Sequence, residues 1–229
     1  VSESEKHVEG VKNELSQRKN RLRALEDLHR RLDGVDSGVR SVLNSKDGSV
    51  LGLVADRIEA PEELTDAFAS LLGDRLQSVV VTNPERGLEL LDQLKQSDRG
   101  RATLLPQRPR YVAGSRERIQ DARVLGWLVD RLRYAAEDEP LVHALVGDAV
   151  LVQHAADAMA VSRSRPGCSV VALDGTVVRA DGSISGGSRD DVAAGMVEQK
   201  HEMRVLAEEV ARLSAVLEER LAELHALKG

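Results

Sequence analysis

The chain has 229 residues, a formal net charge of -6 at pH 7 and only 2% aromatic residues. Its length allows one or two globular domains, and a hydrophobic share of 41% excludes a fully disordered chain. The acidic total argues against a protein that coats DNA along its whole surface, while leaving room for a local basic patch.

The first predicted element is an amphipathic helix over residues 1–34. Its seam residues are separated alternately by three and four positions, which is the spacing of a coiled coil. Two of them, Arg18 and His29, are polar interruptions. The apolar members are Val8, Val11, Leu15, Leu22, Leu25 and Leu32.

The middle of the chain, residues 35–188, has a different pattern, with frequent Gly and Pro and short β-branched runs. Strands are predicted over 77–82, 102–105, 149–152, 169–173 and 176–178, and a strand or a buried loop is predicted over 50–54. Helices are predicted over 62–72, 84–95 and 155–161, together with a helix-rich stretch over 119–146. This alternation predicts an α/β or α+β domain, and Asp174-Gly175 predicts a tight hairpin turn between the last two strands.

The last segment, residues 189–229, repeats the coiled-coil spacing. Its seam is Met196, Gln199, Met203, Leu206, Val210, Leu213, Leu217, Arg220, Leu224 and Leu227. Long helices with a narrow apolar stripe need a partner, and each of these two has the other. We therefore predict an intramolecular antiparallel coiled coil in which the numbers of contacting residues sum to about 228.

A glycine-rich motif closes the middle segment, at Gly182, Gly186 and Gly187. One interpretation is a cradle for a phosphate group, because glycines free backbone N–H groups to face an anion. The lysine of a P-loop is absent, however, and so is the dinucleotide pattern Gly-x-Gly-x-x-Gly. The favoured interpretation is a connection between a strand and a helix, in which glycine permits a positive φ or a close approach of two backbones.

The sequence contains no recognisable catalytic or metal-binding set. The single cysteine, Cys168, excludes an internal disulfide, and the six histidines are scattered. No nucleophile elbow is present, so no enzyme activity, cofactor or metal is expected in this part of the protein. No stretch of about 18 apolar residues occurs, so no membrane partner is expected either. Because residue 1 is Val and no signal-peptide pattern follows, the chain is expected to be part of a longer protein.

Basic residues are concentrated between Lys95 and Arg133. That stretch carries a net +6, from ten basic and four acidic residues, so the rest of the chain carries -12. A local basic stretch is typical of contact with nucleic-acid phosphates, and a solvated surface with ordinary ion pairs is an equal alternative. The candidate DNA-binding residues are Lys95, Arg99, Arg101, Arg108, Arg110, Arg116, Arg118 and Arg123.

Two helical arms around a compact domain resemble the hinge region of structural maintenance of chromosomes (SMC) proteins. The chain carries sequences similar to five hinge motifs, in the same order as in that family. They are residues 48–56, residues 72–81, residues 100–106 (Gly-Arg-Ala-Thr-Leu-Leu-Pro), residues 145–150 together with 173–178 (Leu-Asp-Gly-Thr-Val-Val) in the second half, and residues 182–187 (Gly-Ser-Ile-Ser-Gly-Gly). Leu104 occupies a position where Phe is usual in the family, a departure that affects local packing.

The resemblance implies a hinge domain over 35–188, built from two similar subdomains at about 48–106 and 116–188. It implies a homodimer in which an edge strand of the first subdomain pairs with an edge strand of the partner's second subdomain, with Gly182, Gly186 and Gly187 at the interface. The ATPase heads of the whole protein would lie beyond the arms, so this part would hydrolyse nothing.

The resemblance also implies a role in organising chromosomes, with DNA as a partner bound without sequence preference. The alternative is a module that chiefly binds DNA phosphates at the junction of hinge and arms. A bacterial source, in which the protein would lie in the cytoplasm with the nucleoid, is expected. Accessory subunits of the complex are not readable from this part of the chain.

Overall fold

A computed structural model describes residues 2–31, 34–110, 119–188 and 191–228. The helices are α1 (Ser2–Arg31), α2 (Ser37–Asn44), α3 (Val54–Arg57), α4 (Thr65–Leu72), α5 (Pro84–Gln96), α6 (Glu139–Val146), α7 (Ala155–Ser164) and α8 (Asp191–Lys228). The strands are β1 (Val50–Leu53), β2 (Ile58–Glu59), β3 (Val79–Val81), β4 (Leu104–Pro106), β5 (Val124–Trp127), β6 (Arg133–Tyr134), β7 (Ala149–Val152), β8 (Ser169–Ala172), β9 (Val177–Val178) and β10 (Ile184–Ser185). Short 3-10 turns occupy Glu62–Leu64, Gly73–Gln77, Leu128–Arg131 and Ala136–Asp138.

One compact unit consists of α1 together with α8 from His201 onward. The two helices are antiparallel, because the Nε atoms of Arg18 and Arg21 lie 3.2 and 2.8 Å from carboxylate oxygens of Glu209 and Glu202, respectively. The residue numbers of these two pairs sum to 227 and 223, against the predicted value of about 228. The helical arms and their antiparallel pairing within one chain are therefore confirmed.

Among the described side chains, the seam of this unit follows the predicted spacing with one exception. The most buried side chains are Leu15, Leu25, Leu206, Leu213 and Leu224, all of them predicted seam residues. Arg220 was also predicted in the seam, but its side chain is exposed and forms a 2.7 Å ion pair with Glu223 on its own helix. A guanidinium in an apolar seam would lose its hydration, which explains why the helix turns it outward.

The second compact unit, Gly34–Lys200, contains the ten strands found in the described part of the chain. Its first sheet has the order β1-β3-β4, and its second sheet has the order β10-β9-β8-β7-β5. The pairs β3·β4 and β7·β8 are parallel, and the other pairs in both sheets are antiparallel. This mixture of helices and sheets confirms the α+β class.

The second unit contains a structural repeat, in which the elements from β1 to α4 recur from β5 to α6 with an offset of 74 residues. Helix α4 begins at Thr65 and α6 at Glu139, 74 residues later, and both have eight residues. The same offset relates β1 to β5, and it relates the 3-10 turn at Glu62 to the one at Ala136. The two halves meet at a two-residue antiparallel pairing of β2 with β6, where Ile58 lies opposite Tyr134 and Glu59 opposite Arg133.

Continuous apolar runs form the core strands of both halves. Val79, Val80 and Val81 of β3, like Val150 and Leu151 of β7, have at most 1% of their surface exposed. Strands buried on both faces lose the alternation that marks a half-exposed sheet. The predicted hairpin at Asp174-Gly175 is confirmed, since β8 and β9 pair in antiparallel order across it.

The helix-rich stretch predicted over 119–146 is wrong for most of its length. Residues Val124–Trp127 and Arg133–Tyr134 form β5 and β6, and α6 begins only at Glu139. The apolar residues Leu128, Val129 and Leu132 have helical spacing, but they are buried in and beside a short 3-10 turn. A run of four apolar residues fits a strand or a buried helix equally well, and here the sheet context decides.

Helix α2 packs directly on the loop that precedes β4. A Cβ atom added at Gly38 would lie 2.1 Å from the backbone oxygen of Arg101. Only a residue without a side chain allows this approach. The backbone of α2 is therefore in direct contact with the backbone leading into the edge strand β4.

The carboxylate of Asp47 stabilises the turn before β1 by accepting three hydrogen bonds. Asp47 accepts hydrogen bonds from the Ser49 hydroxyl at 2.5 Å, the Ser49 N–H at 2.9 Å and the Nε–H of Arg86 at 2.8 Å. These bonds, those from Ser49 first, lower the pKa of Asp47 to about 2 from 3.8. The ionised form is thus the one that the fold stabilises.

We expect the Asp47→Asn variant to be less stable than the wild type at pH 7. A lowered folded-state pKa gives stability that is complete above the unfolded pKa near 4 and is lost as pH falls toward 2. The difference between the two proteins should therefore shrink between pH 4 and pH 2, as measured by urea unfolding. Asp92→Asn, an exposed position on α5, is the control and should change little. A difference that stays constant over this pH range would contradict the assignment.

Candidate functional site

The two main sheets have four edge strands, β1 and β4 in the first and β5 and β10 in the second. Bulges interrupt the regular pairing of two of them, β1 and β5. In β1 the register shifts between Val50 and Gly52, and in β5 it shifts between Val124 and Gly126. Both glycines have positive φ, +108° and +132°, which a bulged strand can require. Bulges of this kind protect an edge from pairing with another chain. The other two edges, β4 and β10, pair with their neighbours without a register shift.

The edge strand β4 presents backbone groups away from its own sheet. Thr103 accepts from the N–H of Val79, and Gln107 donates its N–H to Val81, both at 2.9 Å. Because backbone groups alternate sides along a strand, Leu104 directs its N–H and C=O to the outer side. Pro106 also faces outward but has no N–H, so an outer ladder would end there.

The edge strand β10 is exposed in the same way. The N–H of Arg179 donates to the oxygen of Ser183 at 2.9 Å, so Ser183 faces β9 and Ile184 faces outward. The Ile184 side chain is 60% exposed, although it is large and apolar. An exposed apolar residue on a regular edge strand is a typical feature of a surface that another chain covers.

The three glycines of the closing motif surround β10. Gly182 precedes it with φ +84° and donates its N–H to Arg179, closing the turn between β9 and β10. Gly187 follows it with φ +123°. A Cβ atom at Gly186 would lie 3.3 Å from Oγ1 of Thr176, a tight contact. Two of the three positions thus require glycine for their backbone angle.

The cleft beside this motif does not suit a phosphate. Its volume is about 190 Å³, and its walls include Asp66, Ser70, Asp174, Gly186 and Gly187. Two carboxylates line it, and no Lys or Arg is among its described wall residues. The two carboxylates would repel an anion there. The geometry therefore favours a strand-to-helix connection over a phosphate cradle as the role of the glycine motif.

Five of the eight candidate DNA-binding residues are exposed and make no ion pair with any residue of the described chain. A sixth, Arg123, holds Asp121 through two bonds of 2.9 and 2.8 Å, which lower the pKa of Asp121 to about 2. The charge of Arg123 is thereby balanced. Arg116 and Arg118 lie outside the described residues. The five exposed residues are Lys95, Arg99, Arg101, Arg108 and Arg110.

A buried carboxylate connects the two halves of the second unit, and the sequence analysis missed it. Asp138 is 1% exposed, and its two oxygens lie 2.9 and 2.8 Å from Nη2 and Nε of Arg57. The amide of Gln107 donates to the same carboxylate at 2.9 Å. We call these three residues the polar clamp. No local pattern reveals it, because its members are 31 and 81 positions apart.

The described residues contain neither a metal-binding cluster nor a membrane-spanning helix. No group of three or more His, Cys, Asp or Glu side chains is placed to hold a metal ion. None of the described helices is long and apolar enough to span a membrane.

Comparison with known proteins relates the chain to one family. The profile of the SMC proteins flexible hinge domain matches residues 46–162. The chromosome partition protein Smc of Myxococcus xanthus is 38% identical over 97% of this chain, and that of Lactiplantibacillus plantarum is 30% identical over 92%. This chain spans 19% of the length of each of these two relatives.

Solved structures have the same fold. The hinge domain in an asymmetric dimer from Geobacillus stearothermophilus has a TM-score of 0.74 at 21% identity, covering 98% of this chain and 96% of that one. The Pyrococcus furiosus SMC hinge domain has a TM-score of 0.54 at 26% identity, covering 74% of this chain and 88% of that one.

Proposed function

The chain belongs to the SMC flexible hinge domain family, and from this premise we propose that it joins two copies of itself through the edge strands β4 and β10. The relatives are named chromosome partition proteins, which supports chromosome partition as the role of the whole protein. ATP hydrolysis, in this proposal, belongs to parts of the whole protein outside these residues.

The observation that carries the proposal is an open position in the first sheet. Strands β1, β3 and β4 correspond to β5, β7 and β8, but β8 has β9 on its far side, whereas β4 has no second neighbour in the described chain. A partner's β10 would occupy the open side of β4 by strand addition. Two-fold symmetry would give two such junctions, each a continuous sheet of three strands from one chain and five from the other.

The glycine motif supports the same interface. Gly182, Gly186 and Gly187 flank β10, and the absence of side chains there would let a partner's backbone approach the edge. The solved Geobacillus relative is itself described as a dimer of the hinge domain.

Light scattering on the 229-residue chain tests the proposal. We expect a molar mass of about 50 kDa at micromolar concentration, twice the 24.9 kDa of one chain. A mass of 24.9 kDa under these conditions would overturn the proposal.

DNA contact is a second candidate function, favoured by the five exposed basic residues Lys95, Arg99, Arg101, Arg108 and Arg110. Unbalanced basic side chains in an acidic chain are available to phosphates. Aromatic residues are too few for base stacking, so binding without sequence preference is proposed.

We predict that DNA affinity falls steeply with salt. Four phosphate contacts would reduce affinity about a hundredfold between 50 and 200 mM salt. Replacing Arg99 and Arg101 together by Ala should reduce the slope of log affinity against log salt by about 2. Fluorescence anisotropy with a labelled duplex measures both effects.

The matched control for this prediction is Arg123→Ala, since the charge of Arg123 is balanced by Asp121. Its salt slope should equal that of the wild type. An equal loss of slope from Arg123→Ala and from a single Arg99→Ala change would show that general charge, rather than this surface, determines binding.

A further inference from the structure

The proposed interface depends on a strand with little support of its own. Strand β4 has three residues and one neighbour, β3, in the described chain. A short edge strand of this kind frays readily, because few bonds oppose the entropy gained on opening. Its last ladder bond is the one from the Gln107 N–H to Val81. The side chain of the same Gln107 is a member of the polar clamp.

The clamp holds this end of β4 through the other half of the fold. Asp138 lies in the 3-10 turn before α6, and Arg57 ends α3 just before β2. Gln107 is therefore bonded at its backbone to β3 and at its side chain to a carboxylate anchored beside the β2·β6 junction. Two attachments at one residue fix both the position and the direction of the strand end.

The structural repeat offers an internal comparison. The residue 74 positions before Asp138 is Leu64, which is buried and apolar. The counterpart of Arg57 is Arg131, whose exposed guanidinium donates only to the backbone oxygen of Leu125 in the described chain. The clamp, which joins the two halves once, therefore has no counterpart at the repeat-related positions Leu64 and Arg131. It supports β4, which lacks a second neighbour, whereas the counterpart β8 is held by strands on both sides.

We propose that Asp138, held by Arg57, positions the end of β4 through Gln107 and so presents a preformed edge to the second copy of the chain. This inference rests on the proposed dimerisation through β4. A preordered edge lowers the ordering cost that association must otherwise meet. Asp138 acts through Gln107 and need not touch the partner.

The variant Gln107→Met tests the proposal, since it removes the amide donor and keeps the length of the side chain. The dimer dissociation constant should rise about 10- to 30-fold, because the released end of β4 must then be ordered on association in each of two symmetric junctions. In hydrogen exchange, the amide of residue 107 should exchange faster, while that of Val79, at the other end of the same ladder, should be unchanged. A purely structural role would accelerate both amides together.

The matched control is Gln77→Met, which removes another glutamine side-chain bond, the one from the Asp36 N–H at 2.9 Å. It should leave the dissociation constant unchanged. A wild-type chain that is monomeric would refute the proposed function itself. A dimeric wild type whose dissociation constant is unchanged by Gln107→Met would refute only the positioning role of the clamp.

Discussion

The Ile184→Pro variant should fold normally and lose most of its dimerisation. Ile184 directs its N–H away from β9, so proline removes no bond from the chain's own sheet. On the outer side it removes a donor and places a ring where a partner strand would lie. Because the dimer contains this junction twice, we expect the dissociation constant to rise about a hundredfold or more. Analytical ultracentrifugation over a dilution series measures it.

The control for this effect is Ile184→Thr, which keeps the N–H and the preference for a strand. It should weaken the dimer only slightly, which separates backbone pairing from burial of the side chain. If Ile184→Pro dimerises as tightly as the wild type, β10 is not the dimer edge.

The Arg57→Met variant should lose about 3–5 kcal/mol of unfolding free energy. It leaves the Asp138 carboxylate, 1% exposed, with the Gln107 amide but without its guanidinium. An uncompensated buried charge is among the most costly defects that a fold can contain. Urea unfolding at neutral pH measures the loss.

Two further variants make this prediction specific. Arg131→Met, the counterpart 74 residues later, should cost under about 1 kcal/mol, because its guanidinium is exposed. Adding Asp138→Leu to Arg57→Met should restore much of the stability, since Leu is the residue that the first half carries at Leu64 and no charge is then left buried. A loss under 1 kcal/mol for Arg57→Met alone would contradict the role of the clamp in stability.

The helical arms could be predicted from the sequence because the signal, a repeated spacing of apolar residues, lies within each helix itself. A three-four spacing determines which face of a helix is apolar, and the buried residues Leu15, Leu25, Leu206 and Leu213 follow it. The core strands β3, β7 and β8 were readable for a similar reason, as short β-branched runs between turn residues. Arg220 was predicted in the seam from its spacing but is exposed, because spacing alone does not determine whether a charged side chain is buried.

The β2·β6 pairing that joins the two halves could not be predicted from the sequence. Strands β2 and β6 have two residues each, too few for a periodic signal, and the apolar spacing around Leu128 and Leu132 predicted a helix instead. The polar clamp joins three distant positions that no motif connects. The repeat of 74 residues could have been found by comparing Val50-Leu51-Gly52 with Val124-Leu125-Gly126, and it would have located β5.

The candidate dimer interface, formed by β4 and β10, could be predicted from the sequence in part. The glycine motif drew attention to the residues around β10, and the structure adds the exposed Ile184 between them. The preference for β4 and β10 over β1 and β5 required the bulges, which appear only in the ladder registers. Among the basic residues, the sequence could not separate Arg123, bound to Asp121, from the five exposed ones.

The contact of Gly38 with Arg101 has a mechanical consequence. Where two backbones touch, no side chain can change rotamer and absorb a displacement, so the contact is stiff. A push on α2 along this contact is transferred to the loop that leads into β4, three residues before the strand begins. The second unit therefore has a stiff contact between α2 and the segment leading into the strand proposed to meet the partner, so a displacement of α2 would be passed to that segment.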